Sequence, residues 1–290
     1  MTRVLVLGGN GFIGRHAVAA LTSLDTTITV GTRHPRGRPD GLAELGVRLE
    51  SLTSPDDWES LIQPFDCVLN CVGILRQRGA ETYDLVHHRA PAAIAEACRN
   101  RGIRFVHVSA LALQHPHRSR FLTSKRYGEE AIERIGGDWA IARPSLLDGE
   151  GGFGAAWLRG VARLPIFAVP ADANGDIAAC LATDVGEALA RLSIESAETL
   201  KLAHSREFDL GGTTHYRFKE YILGLRKRQG RGRALAMPIP GWVARIGAHL
   251  CDVFHFSPFS FGHWELLRKN NVPTVNRLPE LLGREPGRVI

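Results

Sequence analysis

The 290-residue chain contains no apolar run approaching the roughly 20 residues that a membrane-spanning helix requires, so an integral helical membrane protein is not expected. Its N-terminus, Met1-Thr2-Arg3 followed by Val4 to Leu7, lacks the longer apolar segment of a secretory leader and breaks at once into glycines. A cytoplasmic location is the expectation, with attachment to the inner face of the membrane as its peripheral variant. Cysteine is scarce and irregular: Cys67, Cys71, Cys98, Cys180 and Cys251 form an odd, scattered set. Cys67 and Cys71 flank the apolar Val68-Leu69-Asn70 with no second pair, so buried thiols are expected, with neither disulfide nor metal site. Charge of one sign is also missing. Thirty-six Lys and Arg against 30 Asp and Glu leave a formal +6, spread along the chain. That balance suits an anionic small ligand and gives no nucleic-acid footprint. What remains, 44% hydrophobic and 23% charged residues, suits a globular chain with one large core, or one core and an appended lobe.

The first half alternates short apolar runs with amphipathic stretches. Strands are expected at Val4 to Leu7, Thr27 to Val30, Val47 to Leu49, Cys67 to Val72, Phe105 to Val108 and Trp139 to Ala142. Helices are expected at Ile13 to Leu24, briefly at Gly41 to Leu45, and at Pro55 to Ile62 behind a Ser54 cap. Two more are expected at Ala90 to Arg101, stopped by Gly102, and at Lys125 to Ile135, stopped by Gly136-Gly137. Strands separated by such helices form βαβ units, so the fold class is α/β, a doubly wound parallel sheet covered on both faces. After Pro144 the texture changes to a glycine-rich loop over Gly149 to Gly154, helices at Ala155 to Arg163 and Thr183 to Leu192, and a strand at Glu207 to Leu210. The expected organisation is one domain over residues 1–150 and a smaller mixed lobe over 151–290, partly interleaved with the sheet.

The densest signal is Gly8-Gly9-Asn10-Gly11-Phe12-Ile13-Gly14, directly after the first strand and opening the first helix. Gly8 permits a tight turn, Gly11 lets backbone approach a pyrophosphate, and Gly14 lets helix and strand pack closely. The first helical amides, from Phe12 and Ile13 onward, point at the phosphates with the positive end of the helix dipole. A dinucleotide cradle over the 1–150 domain is therefore expected. An NAD site places Asp or Glu about 20 residues beyond the glycines, on the ribose 2′-hydroxyl. Here Val30-Gly31-Thr32-Arg33-His34-Pro35-Arg36-Gly37-Arg38 carries no acid, and Arg33, aided by Arg36 or Arg38, could grip a 2′-phosphate. NADP(H) is favoured and NAD(H) is the alternative.

These features resemble a short-chain dehydrogenase/reductase of the extended or atypical kind. Asn70-Cys71-Val72-Gly73 resembles the loop passing the adenosine side of the cofactor, and Phe105-Val106-His107-Val108-Ser109 the strand ending near the catalytic serine or threonine. Ser124-Lys125 with Gly128-Glu129 resembles the helix bearing the family lysine, Arg143-Pro144-Ser145 the turn beside the nicotinamide, and Thr183-Asp184-Val185 a helix start of the extended class. Within the family the likeness is to the atypical branch containing the accessory NADPH-binding subunit of respiratory complex I and its bacterial relatives. His107-Val108-Ser109-Ala110-Leu111, Ser119 to Lys125, Phe208 to Gly212 and Leu266 to Pro273 carry that resemblance. It implies cofactor contacts from Gly8, Gly11, Phe12, Ile13, Gly14, Arg33, Asn70, Val72, Gly73, Lys125 and Pro144.

The resemblance also implies a tyrosine four residues before the lysine, which exchanges a proton with substrate while the lysine lowers its pKa. Phe121 stands there instead, and a phenyl ring transfers no proton. Ser109 and Lys125 remain as candidates for the family's serine and lysine positions, so the catalytic set is undefined. His107, His115 and His117 lie near the expected mouth and are weighed both as replacement donors and as solvated loop residues. Tyr127 should point away from the lysine face.

In the lobe, Phe153, Trp157, Phe167, Trp242 and the run Phe254 to Phe261 read first as core and second as an exposed apolar face. Arg226, Lys227, Arg228, Arg231 and Arg233 precede Trp242, Val243, Ile246, Leu250, Val253 and Phe254 at near-helical spacing, a pattern of either a core helix or an anionic-membrane contact. Two functions follow. The first is a cofactor-binding protein without the family's proton relay, serving a structural, assembly or redox-sensing role, with a respiratory-complex or membrane-surface partner on the lobe. The second is an NADPH-dependent oxidoreductase, or an epimerase or dehydratase, with a different proton donor.

Overall fold

The computed structural model describes residues 1–195, 206–254 and 260–290. Seven strands form one sheet: β1 (Thr2–Leu7), β2 (Thr26–Thr32), β3 (Ala43–Gly46), β4 (Cys67–Asn70), β5 (Arg104–Val108), β6 (Trp139–Pro144) and β7 (Glu207–Leu210). Their order is β7-β6-β5-β4-β1-β2-β3 and every pairing is parallel. The order reverses direction between β1 and β4, opening a crevice at the carboxyl ends of those strands, where doubly wound folds bind ligands. The fold is a doubly wound, Rossmann-type arrangement.

Strand alternation distributes the core to two faces. Val4 and Val6 pack with Leu69, Val106 and Ala142 against α1 (Phe12–Thr22), α6 (Ala182–Ile194) and α10 (Leu278–Leu282). Leu5 and Leu7 turn to the other face with Val68, Phe105 and Ile141, under α2 (Pro55–Ile62), α3 (Ala90–Arg101) and α4 (Arg120–Ile135). Strands buried on both faces tolerate few polar residues, and burying either set removes over a dozen apolar side chains from water at about 1.5–3 kcal/mol each. Local signals end the helices as their chemistry requires. Ser54 caps α2 in a reciprocal box with Asp57, and Gly102 takes the left-handed conformation after α3 at φ 65°.

Two expected elements differ. The segment read as a helix from Gly41 to Leu45 is the edge strand β3, and the strand expected at Val47 to Leu49 is instead the approach to a short 3-10 turn at Leu49–Ser51. Ala43 to Gly46 gains its identity from pairing with Thr29 to Thr32, a tertiary contact that local propensity does not contain. Helix α4 also begins earlier than expected, at Arg120 behind a Ser119 cap.

The second half sends α6 against α1 and β7 beside β6, and builds a separate apolar cluster from α5 (Phe153–Val161), α7 (Phe218–Arg228) and a parallel pair, Ile166–Pro170 with Leu235–Ile239. Asp184 opens α6 by accepting from Arg284 at 2.9 Å and from the Gly287 amide at 2.7 Å, which ties the C-terminal segment to the sheet domain. Helix α8 (Gly241–Phe254) packs on α9 (Phe261–Leu267) through Ala244 and Ala248 beside Trp264. Its large residues face outward: Trp242, Ile246, Leu250 and Phe254 are 68%, 52%, 48% and 67% exposed. The core-helix expectation is therefore overturned, because the small side of α8 is the one that allows close approach. Phe153 is exposed as well, whereas Phe167 is buried. Residues 255–259 of the aromatic run, and the side chain of Val253, lie outside the described set. Arg226 is buried, not part of a solvated basic cluster; its guanidinium donates to the carbonyls of Ala162 and Leu164 at 3.0 and 2.8 Å. Among the described residues no helix is long and apolar enough to cross a membrane.

Candidate functional site

The glycine turn is built as its spacing requires. Gly8 sits at φ 72°, a conformation open mainly to glycine, and its carbonyl accepts from the Gly11 amide at 2.8 Å. A Cβ on Gly14 would lie 2.2 Å from that same carbonyl, so α1 can approach β1 only with glycine there. Gly11 caps α1 without a side-chain bond and no acid occupies the first turn, leaving the helix end to an anion. An open cleft of about 320 Å³ starts here, between the carboxyl ends of β1, β2 and β4.

Gly8, Gly11, Arg33, Val72 and Gly73 line this cleft. Asn70 lies buried at its floor, where its Oδ1 accepts from the Val72 amide at 3.0 Å and fixes the Asn70-to-Gly73 turn. Ile13 packs into the sheet core, so its amide is the group it can offer. The Phe12 side chain turns away to a neighbouring chamber and lies under a loop in which Cβ atoms on Gly149 or Gly152 would meet its ring at 3.2 and 2.7 Å. Those two contacts account for Gly149 and Gly152 of that loop. Arg33 follows the end of β2, and its guanidinium pairs with Glu81, also on the cleft wall. Arg38 pairs with Asp40 and bonds Asn10, while the backbone amides of Arg36 and Gly37 bind Glu44 at 2.8 Å. Glu81 and Glu50 on this wall were not expected; 48 residues separate Glu81 from Arg33, and no local spacing announces their pairing.

The second group lies at the carboxyl end of β5 and on α4. Gly128 makes this corner possible, because a Cβ there would lie 1.9 Å from the His87 carbonyl. Helix α4 thereby presses against the π-turn Leu85–Arg89 and sets Lys125 beside His87. Lys125 is buried, and burial lowers its pKa to about 8 against the opposing pull of Glu129. His87 accepts the Ile74 amide on Nε2 at 3.1 Å and lies 3.0 Å through Nδ1 from Ser124 Oγ. Ser124 Oγ donates onward to the Phe121 carbonyl at 2.9 Å, so a neutral His87 with its proton on Nδ1 satisfies the chain of bonds. Burial, then the nearby ammonium of Lys125, lowers the His87 pKa to about 2.

His107 is buried, not solvated, and receives Asn70 Nδ2 on its Nδ1 at 3.2 Å. Burial and Lys125 push its pKa to about 3. Its Nε2 and the Oγ of Ser109 are both buried without a hydrogen-bond partner. They share one face of β5 by strand alternation. Orphaned polar atoms in such a place are costly unless a ligand completes them, so this corner fits the polar end of a dinucleotide as the glycine turn fits its diphosphate. Pro144 ends β6, buried, with three strands lying between it and β2. Ser109, Lys125 and Pro144 are not among the residues that line the open cleft. His115 and His117 lie elsewhere, around a small pocket with Lys269 and Asn270.

Phe121 occupies the position one helical turn before Lys125, whose Nζ lies 5.9 Å from the ring centre. The ring meets His87 edge-on at 5.4 Å and Tyr83 at 5.9 Å. Tyr83 is the nearby phenol, but its hydroxyl donates to the Leu75 carbonyl at 2.8 Å and burial raises its pKa. Tyr127 is exposed and tilts onto His88. Glu129, fully buried, holds Arg143 in a two-bond pair at 3.0 and 2.7 Å that joins α4 to β6, and Arg143 reaches Glu207 on β7 as well.

A family model described as NAD(P)H-binding matches residues 8–159. The chain is 32% identical over 152 residues to a ceramide reductase of Caulobacter vibrioides, covering 51% of this chain and 47% of that protein. It is 28% identical over 152 residues to the mitochondrial NADH dehydrogenase [ubiquinone] 1 alpha subcomplex subunit 9 of Arabidopsis thaliana, covering 50% and 38%. The match thus spans less than half the length of each relative. A nucleoside-diphosphate-sugar epimerase of Staphylococcus aureus shares the fold over 99% of this chain and 97% of its own, at a TM-score of 0.72 and 15% identity.

Proposed function

The chain belongs to the NAD(P)H-binding family through residues 8–159, and on that premise we propose that it holds NADP(H) without operating the family's tyrosine relay. The diphosphate rests on the amides of Gly11 to Gly14, with the adenosine along Asn70 to Gly73. Arg33 exchanges Glu81 for the 2′-phosphate, the trade that selects NADP(H) over NAD(H). Lys125 and Ser109 meet the ribose and nicotinamide end, with Pro144 beside it. The bound nicotinamide supplies hydride chemistry; the chain's own residues bind, orient and exclude water.

The observation that carries this reading is Phe121, a ring without a titrating proton packed between Lys125, His87 and Tyr83. A protein so built serves as a cofactor-loaded structural, assembly or redox-sensing component. The outward apolar row of α8, with exposed Arg231, Arg233 and Arg245 nearby, supplies a face for a respiratory complex or an anionic membrane surface at the inner side. The test is NADPH oxidation by the wild type and by Phe121→Tyr with short- and long-chain ketones. Turnover appearing only in the tyrosine variant supports the reading, and wild-type turnover with the same ketones overturns it.

A second reading, an NADPH-dependent oxidoreductase with another proton donor, is favoured by one observation. An apolar chamber adjoins the cleft at Phe12 and Leu75, which is where a substrate would meet the nicotinamide. The likeness to a ceramide reductase points the same way.

A further inference from the structure

The chamber beside the cofactor cleft is a half-open recess of about 230 Å³, close to the lower end of the roughly 300–1,000 Å³ of small-molecule sites. Phe12 and Leu75 form its border with the cleft; Leu146, Trp157, Leu158 and Phe218 are among its walls. Among the described residues no Asp, Glu, Lys or Arg lines it, so a diphosphate-bearing ligand would find no described cation to receive it. Two polar side chains break the apolar wall, His263 from α9 and Asn271 from the segment after it. His263 is held through Nδ1 by Ser260 Oγ at 2.6 Å, and burial lowers its pKa to about 4, leaving it uncharged near neutrality.

Asn271 is fixed through its backbone. Its amide donates to the Asp176 carbonyl at 2.7 Å, and its own carbonyl accepts from Ser145 Oγ at 2.7 Å and from the Ala178 amide at 3.1 Å. Its side-chain Oδ1 is buried and has no partner among the described residues. An acceptor on a residue that lines an apolar chamber, with no described group donating to it, is the complement of a donor on a ligand.

We propose that this chamber binds a lipid bearing one alkyl or acyl chain and a hydroxyl or amide head that donates to Asn271 Oδ1. The proposal rests on the reading that a dinucleotide fills the adjoining cleft, and it names the class of ligand taken up beside it. The chain lies along Leu146, Trp157 and Leu158, and the head sits at His263 and Asn271. Gly154, on the wall, has open space where a Cβ would stand, so a larger side chain there shortens the chamber without disturbing its neighbours.

Linear alcohols from octanol to tetradecanol, titrated into NADPH-loaded protein by calorimetry, test this. The dissociation constant should fall about fourfold per added methylene until the chamber is full. The methyl ether of the same chain, unable to donate, should bind roughly 2- to 10-fold more weakly. Asn271→Ala should erase that alcohol-over-ether preference while the chain-length dependence stays, and Gly154→Leu should lower the length at which the gain stops. Affinity independent of chain length, or an unchanged alcohol-to-ether ratio in Asn271→Ala, overturns the proposal. NADPH fluorescence is followed in parallel: intact NADPH binding with length-independent alcohol binding sinks the chamber alone, whereas lost NADPH binding sinks the cofactor reading beneath it.

Discussion

The two ends of the cofactor cleft are made of different materials. At the β1–α1 end the proposed binding groups are peptide amides, positioned by glycines whose missing side chains create the space. At the β5–α4 end the proposed groups are the side chains of Ser109 and Lys125, buried beside His107. A backbone cradle depends on a few consecutive residues and leaves one decision to the sequence: glycine or not. A side-chain corner depends on contacts from several elements, and the proposed absence of a proton relay rests on one of its residues, Phe121, one turn before Lys125.

Perturbing each end separately should expose that contrast. The largest effect is expected at the side-chain end. Glu129→Ala strands Arg143 with only its partly exposed partners and should cost about 3–5 kcal/mol of stability, read by urea unfolding. A smaller change of opposite sign is expected for Lys125→Met. The Lys125 ammonium, with an ordinary pKa of 10.5, is lowered to about 8 in the fold, so its burial opposes folding below pH 8. That penalty, about 3 kcal/mol at neutral pH, is relieved as pH rises from 8 towards 10.5. The methionine variant should therefore be more stable at pH 7, with its advantage fading by pH 10.5, while NADPH binding weakens. Equal stability of variant and wild type at pH 7 would remove the buried-charge account.

At the backbone end, Gly14→Ala drives a Cβ into the Gly8 carbonyl and should cost about 1–3 kcal/mol, with a comparable loss in NADPH affinity measured by nucleotide fluorescence. The smallest effect is expected from Arg33→Ala: about tenfold weaker NADPH binding with NADH unchanged, roughly 1.4 kcal/mol. An equal loss for both nucleotides would assign Arg33 to a general electrostatic role instead of the 2′-phosphate.

The same division explains what could be read from sequence. The sheet's alternation, the caps at Ser54 and Gly102, the glycine turn and the phenylalanine one turn before Lys125 are short-range patterns, and each is visible within a few residues. Edge strand β3 was hidden because half-exposed Ala43 to Gly46 owes its form to β2. The pairing of Arg33 with Glu81, the burial of His87 against Ser124, and the convergence of His263 and Asn271 with Phe12, Leu75 and Leu146 on one chamber join residues dozens of positions apart. In α8 periodicity reveals the apolar row but not its direction; the small residues Ala244 and Ala248 decide that it faces outward.

Calorimetry on cofactor-stripped protein addresses the central claim most directly. One site per chain with NADPH bound more tightly than NADH is the expected outcome. Absence of heat with either nucleotide would contradict the account from the glycine turn onward.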